Sequence, residues 1–300
     1  MKKLFLAVIG ILLIVAGTAG LLLPVVPGWV LIFFGLSFIA PKLAERLKRR
    51  FFRKFFKEGI IRLKEWEKFS VKVELTTKHF PLVLKKTDEL SDPKIQGEFQ
   101  KLVSGEKFVF LNQVHQRRVE VLDDESKFVR NGFYELPNTD GVLTNIRGLT
   151  LLVLTADCLP ILFCTKARRS EKTDWVGIVH AGWRGTKDRI AETAFQTLLS
   201  KSGLSAAEIH IIFGPAIRKD HYEVGPEFRK QFGRRFVRKR KGRFYFDLVA
   251  QNRKQLMRAG ALDQNILDLD ICTVCENSDF YSFRKEQDSA GRIVSLITKI

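Results

Sequence analysis

The chain has 300 residues, 45% of them hydrophobic, and carries a formal net charge of +18 at pH 7. This composition excludes a disordered or low-complexity protein, and the length leaves room for more than one folding unit. Four cysteines in a chain of this size exclude a disulfide framework and fit a reducing compartment.

From the N-terminus, residues 4–40 contain no charged side chain, which reads as a membrane segment. Pro24 and Pro27-Gly28 divide it into residues 4–23, long enough to span, and the shorter residues 29–40, so a helical hairpin or a re-entrant second arm fits. Lys2 and Lys3 precede it; Lys42, Arg46, Lys48, Arg49, Arg50, Arg53 and Lys54 follow it. The positive-inside rule puts both flanks on the cytoplasmic side. A cleaved signal peptide would account for Met1-Lys2-Lys3 and the first apolar run, but not for the second arm or the basic flank behind it. Over residues 46–68, Arg and Lys alternate with Phe51, Phe52, Phe55, Phe56, Ile60, Ile61, Leu63 and Trp66, the pattern of a basic amphipathic helix on an anionic lipid surface or of a solvated membrane flank. The expected organisation is a transmembrane hairpin over residues 1–45, a basic amphipathic linker over 46–70 and one catalytic domain over 71–300.

That domain reads as mixed α/β. Residues 149–155, 161–164, 176–179 and 209–213 are apolar runs of strand length bounded by polar, Gly or Pro breakers. A helical stripe runs through residues 186–200, with Ile190, Ala191, Ala194, Phe195, Leu198 and Leu199 on one face. Asp247 is placed to cap a helix over 248–259 that Gly260 stops, and residues 280–284 and 292–298 suggest a closing hairpin. A second basic cluster, from Arg229 to Arg243, is read as a solvated loop or one facing an acidic membrane surface in preference to a nucleic-acid site, because a charge block alone is weak evidence. Cys272 and Cys275 form a C-x-x-C, redox-active or half of a structural zinc site in principle. No second pair stands at metal spacing, so these two and Cys164 are read as packing residues. His79, His210 and His221 are read as ordinary core or surface histidines.

Three residues stand where an apolar run meets a polar turn: His115 in Gln113-Val114-His115, Cys158 in Ala156-Asp157-Cys158-Leu159-Pro160, and His180 in His180-Ala181-Gly182-Trp183-Arg184-Gly185. Two imidazoles and a thiolate give three ligands to a borderline-soft metal and leave a fourth tetrahedral position open, the pattern of a catalytic zinc site. Behind His180, Arg184 offers a planar fork for phosphate or carboxylate, and Gly185-Thr186 opens a helix whose amides could help hold an anion.

Residues from about 105 to 300 resemble the laccase-domain family, named for multicopper polyphenol oxidoreductase activity and associated also with purine nucleoside phosphorylase activity. The matching stretches are the three above together with Thr139-Asp140-Gly141-Val142-Leu143-Thr144, Gly214-Pro215-Ala216-Ile217, Tyr222-Glu223-Val224-Gly225, Phe280-Tyr281-Ser282-Phe283-Arg284 and Gly291-Arg292. The resemblance implies a layered α/β sandwich with mixed sheets and zinc on His115, Cys158 and His180. It also implies phosphorolysis of adenosine, guanosine and inosine, with some adenosine deaminase and methylthioadenosine phosphorylase activity. Arg184 is the candidate for steadying phosphate or developing charge. The first 40 or so residues loosely resemble small membrane proteins with a Pro-Gly-Pro-Gly-Trp turn, here Pro24-Val25-Val26-Pro27-Gly28-Trp29. One departure stands out: where the family carries Thr-Thr-Arg-x-Gly-Gly, this chain has Thr76-Thr77-Lys78-His79-Phe80. Lys lacks the bidentate fork of Arg, so weaker or altered substrate binding is expected there.

The favoured expectation is a membrane-tethered, zinc-dependent purine nucleoside phosphorylase with its catalytic domain in the cytoplasm. Its partners are purine nucleoside, phosphate and membrane lipid. The alternatives are a copper-dependent polyphenol oxidase, an editing enzyme for peptidoglycan precursors and a non-enzymatic membrane scaffold. Copper would lack thioether support, since Met1 and Met257 are the only methionines, and a multicopper site needs more histidines than five. An intact set of zinc ligands argues against the scaffold.

Overall fold

Alternation along the longest strands organises the domain. In the strand Leu149–Thr155, the side chains of Leu149, Leu151 and Val153 enter one core and those of Leu152 and Leu154 another. Leu159–Thr165 does the same with Leu162 and Cys164 on one side and Leu159, Ile161 and Phe163 on the other. A strand with apolar side chains on both faces needs cover on both faces, which is the layered arrangement that forms here.

The computed structural model describes residues 11, 14, 56–103, 105–124, 132–165 and 174–300. Three sheets are present among them. The first has the order β1 (Ile60–Arg62), β2 (Val71–Thr76), β15 (Ile293–Lys299), β7 (Leu149–Thr155), β3 (Lys107–Leu111) and β5 (Gly132–Leu136). Pairings from β1 through β7 are antiparallel, and β3 pairs in parallel with both β7 and β5. The second has the order β14 (Ile266–Asp268), β10 (Ile209–Phe213), β8 (Leu159–Thr165), β9 (Val176–Ala181), β6 (Gly141–Thr144) and β4 (Val119–Leu122). Only its edge strands β14 and β4 pair in parallel. A small third sheet joins β11 (Glu223–Val224), β13 (Arg243–Phe246) and β12 (Val237–Arg240).

The two large sheets pack face to face through Val109, Leu111, Leu151, Val153, Leu162, Val176, Ile178 and Ile212. Outside the first sheet, Phe108, Phe110, Leu152 and Leu296 pack with Phe99 of α1 (Pro93–Leu102). Trp183 of α2 (Trp183–Lys187) packs against the core outside the second sheet. In that core, Ile161, Phe163, Ile211 and Phe213 meet the buried faces of α3 (Ile190–Ser202), α4 (Phe228–Phe232) and α5 (Leu248–Arg258). The expected layered mixed α/β fold is therefore observed.

Local chemistry fixes the helix ends. The Asp247 carboxylate accepts the Ala250 amide at 3.0 Å, as expected for the cap of α5. Asp92 caps α1 in the same way through the Lys94 amide, with Pro93 at the first helical position.

Several expectations need correction. The stripe over 186–200 is not one helix: α2 and α3 are separated at Arg189, which adopts φ 62°. Within α2, Gly185 lies against the Gln116 carbonyl, which a Cβ would meet at 2.9 Å. Residues 280–284 do not form a strand. The Ser282 amide donates to Glu286 and the Arg284 amide to Asp157, so the segment turns into the short helix α6 (Phe283–Glu286). The basic cluster after Arg229 is not a loop but α4 followed by the β12–β13 hairpin. The domain begins at Gly59 and not at 71: β1 and a 3-10 turn at Lys64–Phe69, assigned above to the basic linker, already belong to it. The expected hairpin over 1–45 lies outside the described residues apart from Ile11 and Ile14. Among the described residues no helix is long and apolar enough to cross a membrane.

Leu151 is fully buried between the two large sheets. Leu151→Ala should lower stability by about 2–5 kcal/mol, whereas the same truncation at exposed Leu262 should cost about 0.5 kcal/mol or less. Chemical denaturation of the two variants, followed by circular dichroism, checks the contrast.

Candidate active site and metal centre

Asp140 is fully buried at the entrance to β6 and accepts hydrogen bonds from three consecutive amides. These are Val114 at 3.2 Å, His115 at 2.9 Å and Gln116 at 2.7 Å. The same carboxylate lies 2.8 Å from Nδ1 of His180. The amide bonds hold the loop after β3 in a tight turn in which His115 adopts φ 62°, a conformation unusual for a residue with a Cβ. Gln113 fastens the other side of that loop. Its side-chain amide donates to the Leu154 carbonyl at 2.9 Å and accepts the Leu154 amide at 2.8 Å, extending the β3–β7 ladder by a side chain.

Cys158 occupies the turn between β7 and β8. The preceding Asp157 has φ 91° and is held by its carboxylate, which accepts the Thr273 hydroxyl at 2.6 Å and the Arg284 amide at 2.6 Å. His180 lies in β9, opposite Pro160 of β8. Thus three separate chain segments bring the expected trio together: the ligand atoms of His115, Cys158 and His180 all lie within 4.8 Å of one another. The two imidazole rings meet edge to face with centroids 4.7 Å apart. Gly182 is needed beside them, because a Cβ there would stand 3.1 Å from Cys158 Sγ and 3.2 Å from His115 Cδ2.

The electrostatics suit a metal. Burial raises the Cys158 thiol, but the His180 charge and hydrogen bonds from His115 and His180 outweigh it and leave the group pushed down to about 6. Burial lowers His180, while the Cys158 thiolate and the Asp140 hydrogen bond push it up to about 9. The favoured state of the protein groups alone is a thiolate beside a protonated imidazole. A metal ion held by the trio would take the place of that proton, with Asp140 on Nδ1 leaving Nε2 of His180 available as the donor atom. Asp140 itself stays below the usual carboxylate range: burial raises it, and His180 and the amides of Gln116 and His115 outweigh that.

A cavity of about 640 Å³ opens onto the trio. Its wall carries five cations, Lys85, Lys86, Arg184, Arg284 and Arg292, and two acids, Asp88 and Asp157. Arg184 is exposed and stacks 4.6 Å from the Trp183 ring centre, so its guanidinium is steered along the wall. The expected anion site at the amides of Gly185-Thr186 is not formed in that way, because the Thr186 amide donates to the Gly182 carbonyl. Tyr222 also lines the cavity; burial and the neighbouring thiolate push its phenol up, so it stays a hydrogen-bond donor at neutral pH.

Lys78 does not line this cavity. Its ammonium donates to Glu286 at 2.7 Å and lies over the Tyr281 ring, bracing α6, whose Phe283 and Arg284 face the cavity. The departure from the Arg pattern therefore acts on the wall and not by direct contact. Of the other histidines, His79 pairs with Asp279 at 3.0 Å and His210 stacks on Phe69 at 4.4 Å, as ordinary residues do. Cys272 is buried beside Ile217 and Val274, as a packing residue is, and its sulfur, that of the exposed Cys275 and a ring nitrogen of His221 also lie within 4.8 Å of one another. Cys164 is buried in the core as expected. Asp140, Asp157 and Tyr222 all stand in the motifs quoted above, where none of them has an assigned role. An acid followed by Gly at the start of a strand was the signal for Asp140.

Residues 95–299 match the family model described as multi-copper polyphenol oxidoreductase laccase. Residues 3–54 match the model described as "Putative transmembrane protein (PGPGW)". The chain is 30% identical over 201 residues to "Purine nucleoside phosphorylase YlmD" of Bacillus subtilis (strain 168), covering 64% of this chain and 70% of that protein. It is also 30% identical over 211 residues to "Adenosine deaminase RL5" of an unknown prokaryotic organism, covering 67% of this chain and 78% of that protein. Its fold is similar to the crystal structure of the Bacillus licheniformis hypothetical protein YfiH, with a TM-score of 0.69 at 25% identity, over 81% of this chain and 97% of that one. With a matching segment that takes in the trio, Asp140 and most of the cavity wall, the chain belongs to the multi-copper polyphenol oxidoreductase laccase family.

Proposed function

We propose that this chain is a zinc-dependent purine nucleoside phosphorylase, tethered to a membrane by its N-terminal segment with the catalytic domain on the cytoplasmic side. The observation that carries the reading is a His115–Cys158–His180 donor set, oriented by Asp140, opening onto a cavity with five cations in its wall. The purine nucleoside phosphorylase name of the Bacillus subtilis relative supports the substrate class. The tether is supported by the uncharged run over 4–40, its basic flanks and the match over 3–54.

Phosphorolysis joins a phosphate oxygen to ribose C1′ and breaks the glycosidic C–N bond. The electron pair leaves with the purine, which takes up a proton, and the products are free base and ribose 1-phosphate. Phosphate brings negative charge into the cavity, and Arg184, Arg284 and Arg292 can neutralise it with planar donors. Arg184 is the residue assigned to steady it, being exposed and stacked on Trp183 in the cavity wall. His115, Cys158 and His180 would hold the zinc, which would supply a Lewis-acid charge for negative charge developing on a bound group. Asp140 holds His180 and the His115 turn in register for that role. Tyr222, kept protonated, offers a hydrogen bond from the opposite wall.

The set does not fit a multicopper cluster. Among the described residues, the trio's neighbours include no thioether, and Met257 is exposed on α5. Adenosine deamination is the second reading, favoured by the name of the relative from the unknown prokaryote.

The deciding experiment incubates zinc-loaded full-length protein with adenosine or inosine, with and without phosphate, and separates the products. Phosphate-dependent release of base and ribose 1-phosphate is expected. Inosine formed from adenosine regardless of phosphate would replace the reading with deamination. Arg184→Ala should raise the KM for phosphate about tenfold, corresponding to the loss of one charge-assisted contact, while leaving the nucleoside KM little changed. Asp140→Asn should weaken zinc binding about 10–100-fold, read by competition with a chromogenic chelator, because it removes the carboxylate partner of a ligand imidazole.

A further inference from the structure

A second cluster of metal-binding donors lies outside the catalytic trio. His221 stands in a turn whose amides at His221 and Tyr222 both donate to the Arg218 carbonyl. Cys272 is reached across an isolated parallel bridge to Ala216, and the Glu276 amide closes on the Cys272 carbonyl at 2.9 Å. That turn brings Cys275 round to the same side. The result is an imidazole Nδ1 that stands 3.6 Å from the sulfur of Cys272 and 3.6 Å from the sulfur of Cys275.

These distances discriminate between bonding schemes. A neutral imidazole nitrogen has one lone pair and accepts one hydrogen, so it cannot serve two thiols equally. In a tetrahedral zinc site with Zn–S near 2.3 Å and Zn–N near 2.0–2.1 Å, a nitrogen and a sulfur ligand stand about 3.6 Å apart. Both N···S separations have that value, and the three ligand atoms lie within 4.8 Å of one another. Two soft thiolates with one imidazole select zinc over magnesium or calcium.

We infer that His221, Cys272 and Cys275 form a second, structural zinc site that fastens the turn carrying Tyr222 to the C-x-x-C segment. Two thiolates balance the charge of the ion. Cys275 is exposed, so the fourth position faces solvent and takes a water. The site supports the cavity wall from behind. His221 immediately precedes Tyr222, and Thr273, inside the C-x-x-C, donates to the Asp157 carboxylate next to Cys158. The inference stands on these residues alone and does not depend on the reaction proposed above.

Metal analysis of purified full-length protein by mass spectrometry tests it. Wild type should hold two zinc ions per chain. Cys275→Ser should hold one and keep the trio's ion, Cys158→Ser should hold one and keep the second site's ion, and Cys275→His should return the count to two by replacing one ligand with another. With cobalt in place of zinc, Cys158→Ser should retain a thiolate-to-cobalt charge-transfer band that the added Cys275→Ser substitution removes. A wild-type count of one that Cys275→Ser leaves unchanged would overturn the inference. So would a Cys272–Cys275 disulfide, seen as a loss of two hydrogens by intact mass, in protein purified without reductant.

Discussion

The site depends on one buried carboxylate. Asp140 gathers three loop amides and one imidazole, and each of these partners comes from a different place in the chain than Asp140 itself. A carboxylate without exposure is costly unless its charge is matched and its lone pairs are filled. Here the donors converge at 2.7–3.2 Å, so the charge is retained and the donors are immobilised together. The same interaction that makes the buried charge tolerable also sets the left-handed turn at His115 and the tautomer of His180. Local geometry and metal chemistry are thus one constraint.

Much of the frame was legible because it follows period-2 burial. The strands Leu149–Thr155 and Ile209–Phe213 coincide with apolar runs because both of their faces are covered, so that only Thr150, Thr155 and His210 interrupt the apolar residues. The helix capped by Asp247 was legible because a cap is a local bond. What failed depended on distant partners. Residues 280–284 have strand-like composition, yet two of their amides are taken by Glu286 and Asp157. The helical stripe at 186–200 is interrupted at Arg189, whose backbone is left-handed, which no periodicity reveals. His115, Cys158 and His180 were recognisable by residue type at strand ends. His221 with Cys272 and Cys275 was not, because the turn and the C-x-x-C are distant in sequence and are joined by long-range contacts such as the Ala216–Cys272 bridge.

The Lys78 segment shows how a change of residue type can act at one remove. Its ammonium is engaged by Glu286, and Glu286 in turn accepts the amide of Ser282 and the side chain of Asn277. Burial raises the Glu286 carboxyl, but Lys78 and these donors outweigh it and hold it below the ordinary range. A point charge serves that bracing role as well as a fork would, since one ammonium faces one carboxylate oxygen. The planar donors that anion recognition favours are supplied by Arg184, Arg284 and Arg292 in the cavity wall.

The division between frame and wall bears on substrate choice. Cys158, His180 and Asp140 sit at the ends of paired strands in the second sheet, where register with neighbours fixes their backbone. The wall comes instead from loops and short helices, including Lys85 to Asp88, Ile217, Tyr222 and Phe283 to Arg292. Loops can change shape and charge without disturbing the sheets that hold the donors. One donor frame can therefore serve different reactions as its wall varies, and similar chains carry the names of a purine nucleoside phosphorylase and of an adenosine deaminase. In this chain the wall is tied at both ends, by Asp157 to Thr273 and Arg284 on one side and by Lys78 to Glu286 on the other. Those ties limit how far the wall can move, so the shape and positive charge of this cavity bear on ligand choice more than the donor set does.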